Sequence, residues 1–186
     1  MNLPIALASN SPRRLQLLEG AGFIVTRVAA GGDEDFPADM PLHEVAPYLA
    51  RKKMERSENC GLITLCADTT VVFPDEILNK PADEAEAIQM LKKLSGRTHK
   101  VVTGVCMRSA DGKIVSFADS TEVTFRELSE PLIHYYLQNG NPYDKAGGYG
   151  IQDSIGYLGI ERVNGCFYNV MGLPVRLVYE NYLKLI

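Results

Sequence analysis

The stretch Leu3-Pro4-Ile5-Ala6-Leu7-Ala8-Ser9-Asn10-Ser11-Pro12-Arg13-Arg14 decides the class of fold. Leu3 to Ala8 is a short apolar run bounded by turn residues, which reads as a buried strand. Ser11 then suits an N-cap and Pro12 the first helical position, where a missing N–H is no loss. Leu15 and Leu18, with Gly22, share one side of the helix that follows, and Gly20 and Gly22 close it. A strand that passes through a tight loop into a helix is the opening of an α/β unit.

The alternation continues outward. Phe23 to Val28 reads as a second strand, followed by the acidic loop Gly31-Gly32-Asp33-Glu34-Asp35. A helix from about Leu42 to Arg56 follows the 3, 4 spacing of Leu42, Val45, Ala46, Leu49 and Lys53, with Lys53 the odd cation on that stripe. Leu62 to Cys66 is a third strand, with Ala67-Asp68-Thr69-Thr70 at its end and Val71 to Phe73 extended again. Asp83 and Glu86 form a capping box for a helix that reaches Leu94 and stops at Gly96. Thr98 to Arg108 and Ile114 to Phe125 are long strands joined across the hairpin signal Asp111-Gly112. Ser129 to Leu137 is helical, Tyr157 to Val163 and Cys166 to Val170 read as strands, and a last helix begins near Pro174. The expectation is an α/β fold around a mixed sheet, with residues 1–186 forming one domain.

Composition narrows the function. At 186 residues, 46% hydrophobic and 23% charged, the chain has the material for one packed core. A net charge of -4 disfavours a nucleic-acid partner, while a nucleotide needs only a few local cations. No apolar run approaches the roughly 20 residues of a membrane span, so the expectation is a soluble, cytoplasmic protein with no membrane partner. Cys60, Cys66, Cys106 and Cys166 are far apart and read as buried free thiols. His43, His99 and His134 are scattered and read as surface or packing residues.

Four groups of polar residues carry chemistry. Ser9 to Arg14 leads into a helix N-terminus, whose free N–H groups and dipole suit a phosphate, and its arginines bind phosphate oxygens in pairs. It lacks the Walker pattern. Asp33-Glu34-Asp35 supplies hard oxygens of the kind Mg²⁺ takes alongside substrate phosphates. Asp68 is a carboxylate held rigidly beside a strand, as a base or a metal ligand requires. Lys53 and Lys80 would balance the charge of a triphosphate. Each feature alone has an ordinary reading: a solvated helix start, a solvated loop, a turn cap, a snorkelling lysine. Their joint occurrence points to a nucleotide site.

Ser9-Asn10-Ser11-Pro12-Arg13-Arg14, Ala67-Asp68-Thr69, Asn79-Lys80-Pro81, Leu94-Ser95-Gly96-Arg97-Thr98-His99, Asp144-Lys145-Ala146-Gly147-Gly148-Tyr149-Gly150-Ile151-Gln152 and Met171-Gly172-Leu173-Pro174 together resemble the Maf family of nucleotide pyrophosphatases. The resemblance implies a single α/β domain with an elongated mixed sheet flanked by helices, two lobes around a central cleft, and a homodimer. It implies that Ser9, Arg14, Lys53 and Lys80 bind the triphosphate, that Glu34 and Asp68 hold a divalent cation (Mg²⁺ or Mn²⁺), and that Asp68 is the proton acceptor. Arg13, Thr69 and Gln152 resemble the set in members that hydrolyse dTTP and UTP to the monophosphate and pyrophosphate.

The chain departs from the family pattern at Gly148 and Asp153, where Ala and Gly are expected, and at Gly32-Asp33 before Glu34. The first two flank Gln152 and bear on base selection. Lys52 beside Lys53 leaves two candidates for one phosphate contact, and Lys53 is preferred because it continues the Leu42, Val45, Leu49 face. The alternatives are a pyrophosphatase for deaminated purine triphosphates (ITP or XTP) and a non-enzymatic nucleotide-binding regulator of cell division.

Overall fold

The computed structural model describes residues 2–31 and 35–186. Gly32, Asp33 and Glu34, and with them the expected ligand Glu34, lie outside the described residues. The elements in chain order are β1 (Leu3–Leu7), α1 (Pro12–Gly20), β2 (Phe23–Arg27), α2 (Leu42–Glu55), β3 (Thr64–Val72), β4 (Ile77–Leu78), α3 (Glu84–Leu94), β5 (Thr98–Arg108) and β6 (Ile114–Phe125). After them come α4 (Glu130–Asn139), a 3-10 turn (Ala146–Gly148), α5 (Ser154–Gly159), β7 (Ile160–Asn164), α6 (Phe167–Met171) and α7 (Val175–Tyr182). The described strands join in the order β2-β1-β3-β5-β6-β7, with β4 on β3. β1 is parallel to β2 and β3, while β3/β4 and β6/β7 are antiparallel. The fold is thus α/β, with a mixed seven-stranded sheet flanked by helices, as expected.

The chain forms two compact units. The first is Met1–Thr69, Thr103–Asp119 and Gly172–Ile186, and the second is Thr70–Val102 and Ser120–Met171. In the first, Ile5, Leu7, Leu18, Leu65, Met107, Leu173 and Val178 are sealed in one core. In the second, Leu91, Leu94, Val123, Phe125, Ile133, Tyr136 and Ile155 form another.

Helix α2 positions Lys53 and is placed by an unusual contact. Val45, Ala46, Leu49, Ala50 and Met54 are its buried face. Pro47 lies inside it, so one backbone N–H is missing from the helix. Gly104 of β5 packs against that backbone, and a Cβ there would lie 2.3 Å from Pro47 N. A strand residue without a side chain meets a helix residue without an N–H, and the two backbones approach closely.

Several expectations need correction. β3 does not end at Cys66 but runs unbroken to Val72, so Asp68 lies in mid-strand and not at a strand end. Its residues are buried almost without interruption, so both faces are packed and the polar Asp68-Thr69-Thr70 stays extended. Residues 154–159 are helical, which shortens the strand expected over Tyr157 to Val163. The Asp153 carbonyl accepts the N–H groups of Gly156 (2.9 Å) and Tyr157 (3.1 Å), which starts that helix. Phe167–Met171 is also helical, not extended. Asn169 within it is buried and donates to Val101 O and Thr121 Oγ1, both at 3.0 Å, a tertiary anchor that overrides local propensity. The capping box on α3 is present in altered form. Asp83 Oδ1 accepts from Glu86 N at 2.8 Å, but Glu86 reaches Ala82 N, one residue further out.

All four cysteines are free thiols, and Cys66 and Cys106 are buried as expected. Burial first, and Cys106 next, push the Cys66 thiol up to about 11. Cys60 is exposed, on the loop between α2 and β3, which corrects the expectation of burial. No helix among the described residues is long and apolar enough to cross a membrane.

Candidate active site

In the first unit the Ser9–Arg14 loop is organised around one guanidinium. Arg14 Nε donates to Gly172 O at 2.9 Å, Nη1 to Ala67 O at 2.8 Å and Ser9 Oγ at 3.2 Å, and Nη2 to Thr69 Oγ1 at 3.1 Å. The fork thereby ties together β1's exit loop, β3 and the segment before α7. Ser9 is buried, and its Oγ also accepts from Ser11 N at 3.2 Å. Ser11 is the N-cap residue of α1 but makes no side-chain cap bond, so the loop's own hydroxyl, Ser9, organises the helix start. Thr69 Oγ1 is also 2.9 Å from Thr103 Oγ1 on β5. Arg13, in the first turn of α1, is half-buried.

Asp68 is the only Asp or Glu among the described residues that is buried. A carboxylate in that setting needs partners. Oδ1 accepts the Thr69 N–H at 2.7 Å, and Oδ2 is ion-paired with Lys53 from the last turn of α2. Lys53 is only 19% exposed along its side chain, whereas Lys52 is turned outward, donating to Asp35 O at 2.9 Å. The structure therefore separates the two adjacent lysines: Lys53 reaches the buried carboxylate and Lys52 does not. Among the described residues no group of three or more His, Cys, Asp or Glu is arranged to hold a metal.

In the second unit Lys80 is exposed and follows β4, and the Asn79 carbonyl just before it accepts from Gly147 N at 3.0 Å. Pro81 is buried, against the edge of Gly148. Gln152 is half-buried, and its Nε2 donates to Asp153 Oδ1 at 3.2 Å. Its Oε1 is buried with no hydrogen-bond partner among the described residues. Asp153 Oδ2 faces Tyr136 Oη at 3.3 Å and Lys145 Nζ at 3.4 Å.

A family model described as Maf-like protein matches residues 4–185. The chain belongs to that family. Among curated relatives, a protein of Porphyromonas gingivalis named dTTP/UTP pyrophosphatase is 49% identical, over 97% of this chain and 92% of its own length. One of the same name from Parabacteroides distasonis is 47% identical, over 95% of this chain and 93% of its own. Among solved structures, the Staphylococcus aureus Ham1 protein is a distant likeness: 15% identity, 66% of this chain, 71% of that chain and a TM-score of 0.47.

The Maf-like motifs hold residues whose placement the sequence did not reveal. Lys145 is 7% exposed and donates to Asn141 O at 2.5 Å and Asp144 Oδ1 at 2.8 Å, a buried ammonium that no spacing signalled. Gly172 contributes a carbonyl to Arg14 from 158 residues away. His99 is a packing residue, as expected. It is buried between Phe125 and Tyr149, with Nε2 2.6 Å from the Tyr149 hydroxyl, and burial lowers its pKa to about 4.

Proposed function

We propose that this protein hydrolyses dTTP and UTP to the nucleoside monophosphate and pyrophosphate, with Asp68 as the proton acceptor. The observation that carries the chemistry is the buried Asp68 carboxylate in mid-strand, aimed by the Thr69 N–H and the Lys53 ammonium. A base fixed on a rigid strand by two donors needs no reorganisation when it takes a proton. The substrate follows the name borne by relatives that match over nearly their whole length.

In the first unit, Ser9, Arg14 and Lys53 bind phosphate oxygens. Arg14 acts chiefly by bracing the loop, since its fork is committed to Gly172, Ala67, Ser9 and Thr69. Lys80, on its anchored turn, takes the same role. Gln152 reads the base, with Arg13 and Thr69 contributing to that preference. Water forms a new P–O bond, one P–O–P bridge breaks, pyrophosphate leaves, and the water proton passes to Asp68.

Asp68 also suits a divalent cation, Mg²⁺ or Mn²⁺, of the kind that takes one or two carboxylates and completes its shell with water and substrate phosphates. Glu34 is proposed as the second carboxylate on the resemblance alone. Such an ion supplies neutralisation of phosphate charge. A homodimer in the cytoplasm belongs to the same proposal, and the exposed Tyr157, Leu158, Phe167 and Tyr168 are apolar surface that a second copy would cover.

Asp68→Asn tests the reading. The variant is expected to keep its circular-dichroism spectrum and lose turnover of UTP and dTTP. Turnover at the wild-type rate would remove Asp68 from the role of base.

A further inference from the structure

Gln152 carries an amide, and an amide reads a base only if its orientation is fixed, because its two ends have opposite hydrogen-bonding character. Here the orientation is fixed by a charge. Nε2 donates to Asp153 Oδ1 at 3.2 Å. Turning the amide over would set Oε1 against that carboxylate, acceptor against acceptor. Oε1 is left buried and without a partner among the described residues.

Asp153 is itself held for this purpose. It is the N-cap residue of α5, a position where an aspartate ordinarily accepts from the helix's first N–H groups. It makes no such side-chain bond. Its carboxylate is instead directed at Gln152, the Tyr136 hydroxyl (3.3 Å) and the Lys145 ammonium (3.4 Å). Tyr136 is sealed in the core, and burial first, then Asp153, drive its pKa upward, so the phenol keeps its proton as a donor. Lys145 is anchored in turn by Asn141 O and Asp144. Gly150 makes room for the arrangement, since a Cβ there would lie 2.3 Å from Asp153 Oδ2 and 2.8 Å from Gln152 Nε2.

We propose that Asp153, braced by Tyr136 and Lys145, is a positioning residue that locks the Gln152 amide with Oε1 as acceptor, so that the protein selects bases presenting an N–H donor at N3. Uracil and thymine carry that donor. Cytosine presents a lone pair at the same atom and meets Oε1 acceptor to acceptor. The inference rests on the reading of Gln152 as the base-contacting residue and states how that residue discriminates.

The test compares kcat/KM for UTP, CTP and N3-methyl-UTP in the wild type and in Asp153→Asn. The wild type is expected to favour UTP over both analogues by at least about tenfold, the worth of roughly one good hydrogen bond. Asp153→Asn presents either a donor or an acceptor to Gln152, so the amide can turn over and the UTP:CTP ratio should fall by about tenfold. A loss of stability alone would not move that ratio. A variant that keeps the wild-type ratio overturns the lock and leaves the pyrophosphatase reading standing. A wild type that does not prefer UTP to CTP overturns the reading of Gln152 as well. The N3-methyl comparison needs no variant, and equal use of UTP and N3-methyl-UTP by the wild type also overturns the acceptor role of Oε1.

Discussion

Gly104→Ala is a perturbation far from any phosphate that should nevertheless disable the protein. The added Cβ would lie 2.3 Å from Pro47 N and 2.4 Å from both Ala46 C and Pro47 Cα. These are backbone atoms in the first turns of α2, about 1 Å short of ordinary contact, and no side-chain rotation relieves them. Either α2 moves away from β5 by about that distance or the strand distorts. Overpacking of this kind costs about 1–3 kcal/mol, and the involvement of main chain puts it near 3. For a chain of this size each 1 kcal/mol moves Tm by about 2–4 °C, so a fall of about 6–12 °C is expected.

Because α2 carries Lys53 to Asp68, the same shift loosens the ion pair that aims the carboxylate. Misplacement of about 1 Å costs on the order of 100-fold in turnover. The assay is thermal denaturation and UTP hydrolysis side by side, with Gly20→Ala as the control, since a Cβ there meets nothing within 4 Å. A Gly104→Ala protein melting within about 1 °C of wild type and turning over within about twofold would refute the placement of α2 and its link to catalysis.

Two further outcomes concern the Lys53–Asp68 pair and the buried His99 of the second unit. Lys53→Met should leave Asp68 buried and unpaired, costing about 3 kcal/mol in urea denaturation. Lys52→Met should stay within about 0.5 kcal/mol of wild type, and equal effects at the two positions would undo the distinction between them. His99 takes up a proton near 6.5 when unfolded but only near 4 when folded, so the unfolded state binds more protons between those values. Stability should therefore fall as pH drops from 7 towards 4, by about 3 kcal/mol. His99→Gln should flatten that part of the stability profile, and an unchanged slope would show that other groups produce it.

What the sequence revealed follows from how local each signal is. β5 and β6 were found to the residue because long extended runs flank a strong turn at Asp111-Gly112, and α3 because its cap and its stop are written beside it. α5 and α6 were missed because their helicity is settled from outside. Asn169 is pinned by β5 and β6, and Gly156 packs against the Ile151 carbonyl, neither of which periodicity can show. The residue types of the candidate site were legible in Ser9, Asp68 and Lys53. Their bracing was not, since Arg14 is held by Gly172 and Lys145 reaches Asp153 only through the fold.

The most direct test of the central claim is pyrophosphate release by the wild-type protein with Mg²⁺ across dTTP, UTP, CTP, ATP, GTP and ITP, with products separated by chromatography. The expected result is that dTTP and UTP lead and yield the monophosphate and pyrophosphate. Preference for a purine triphosphate, or release of inorganic phosphate and a diphosphate, would contradict it.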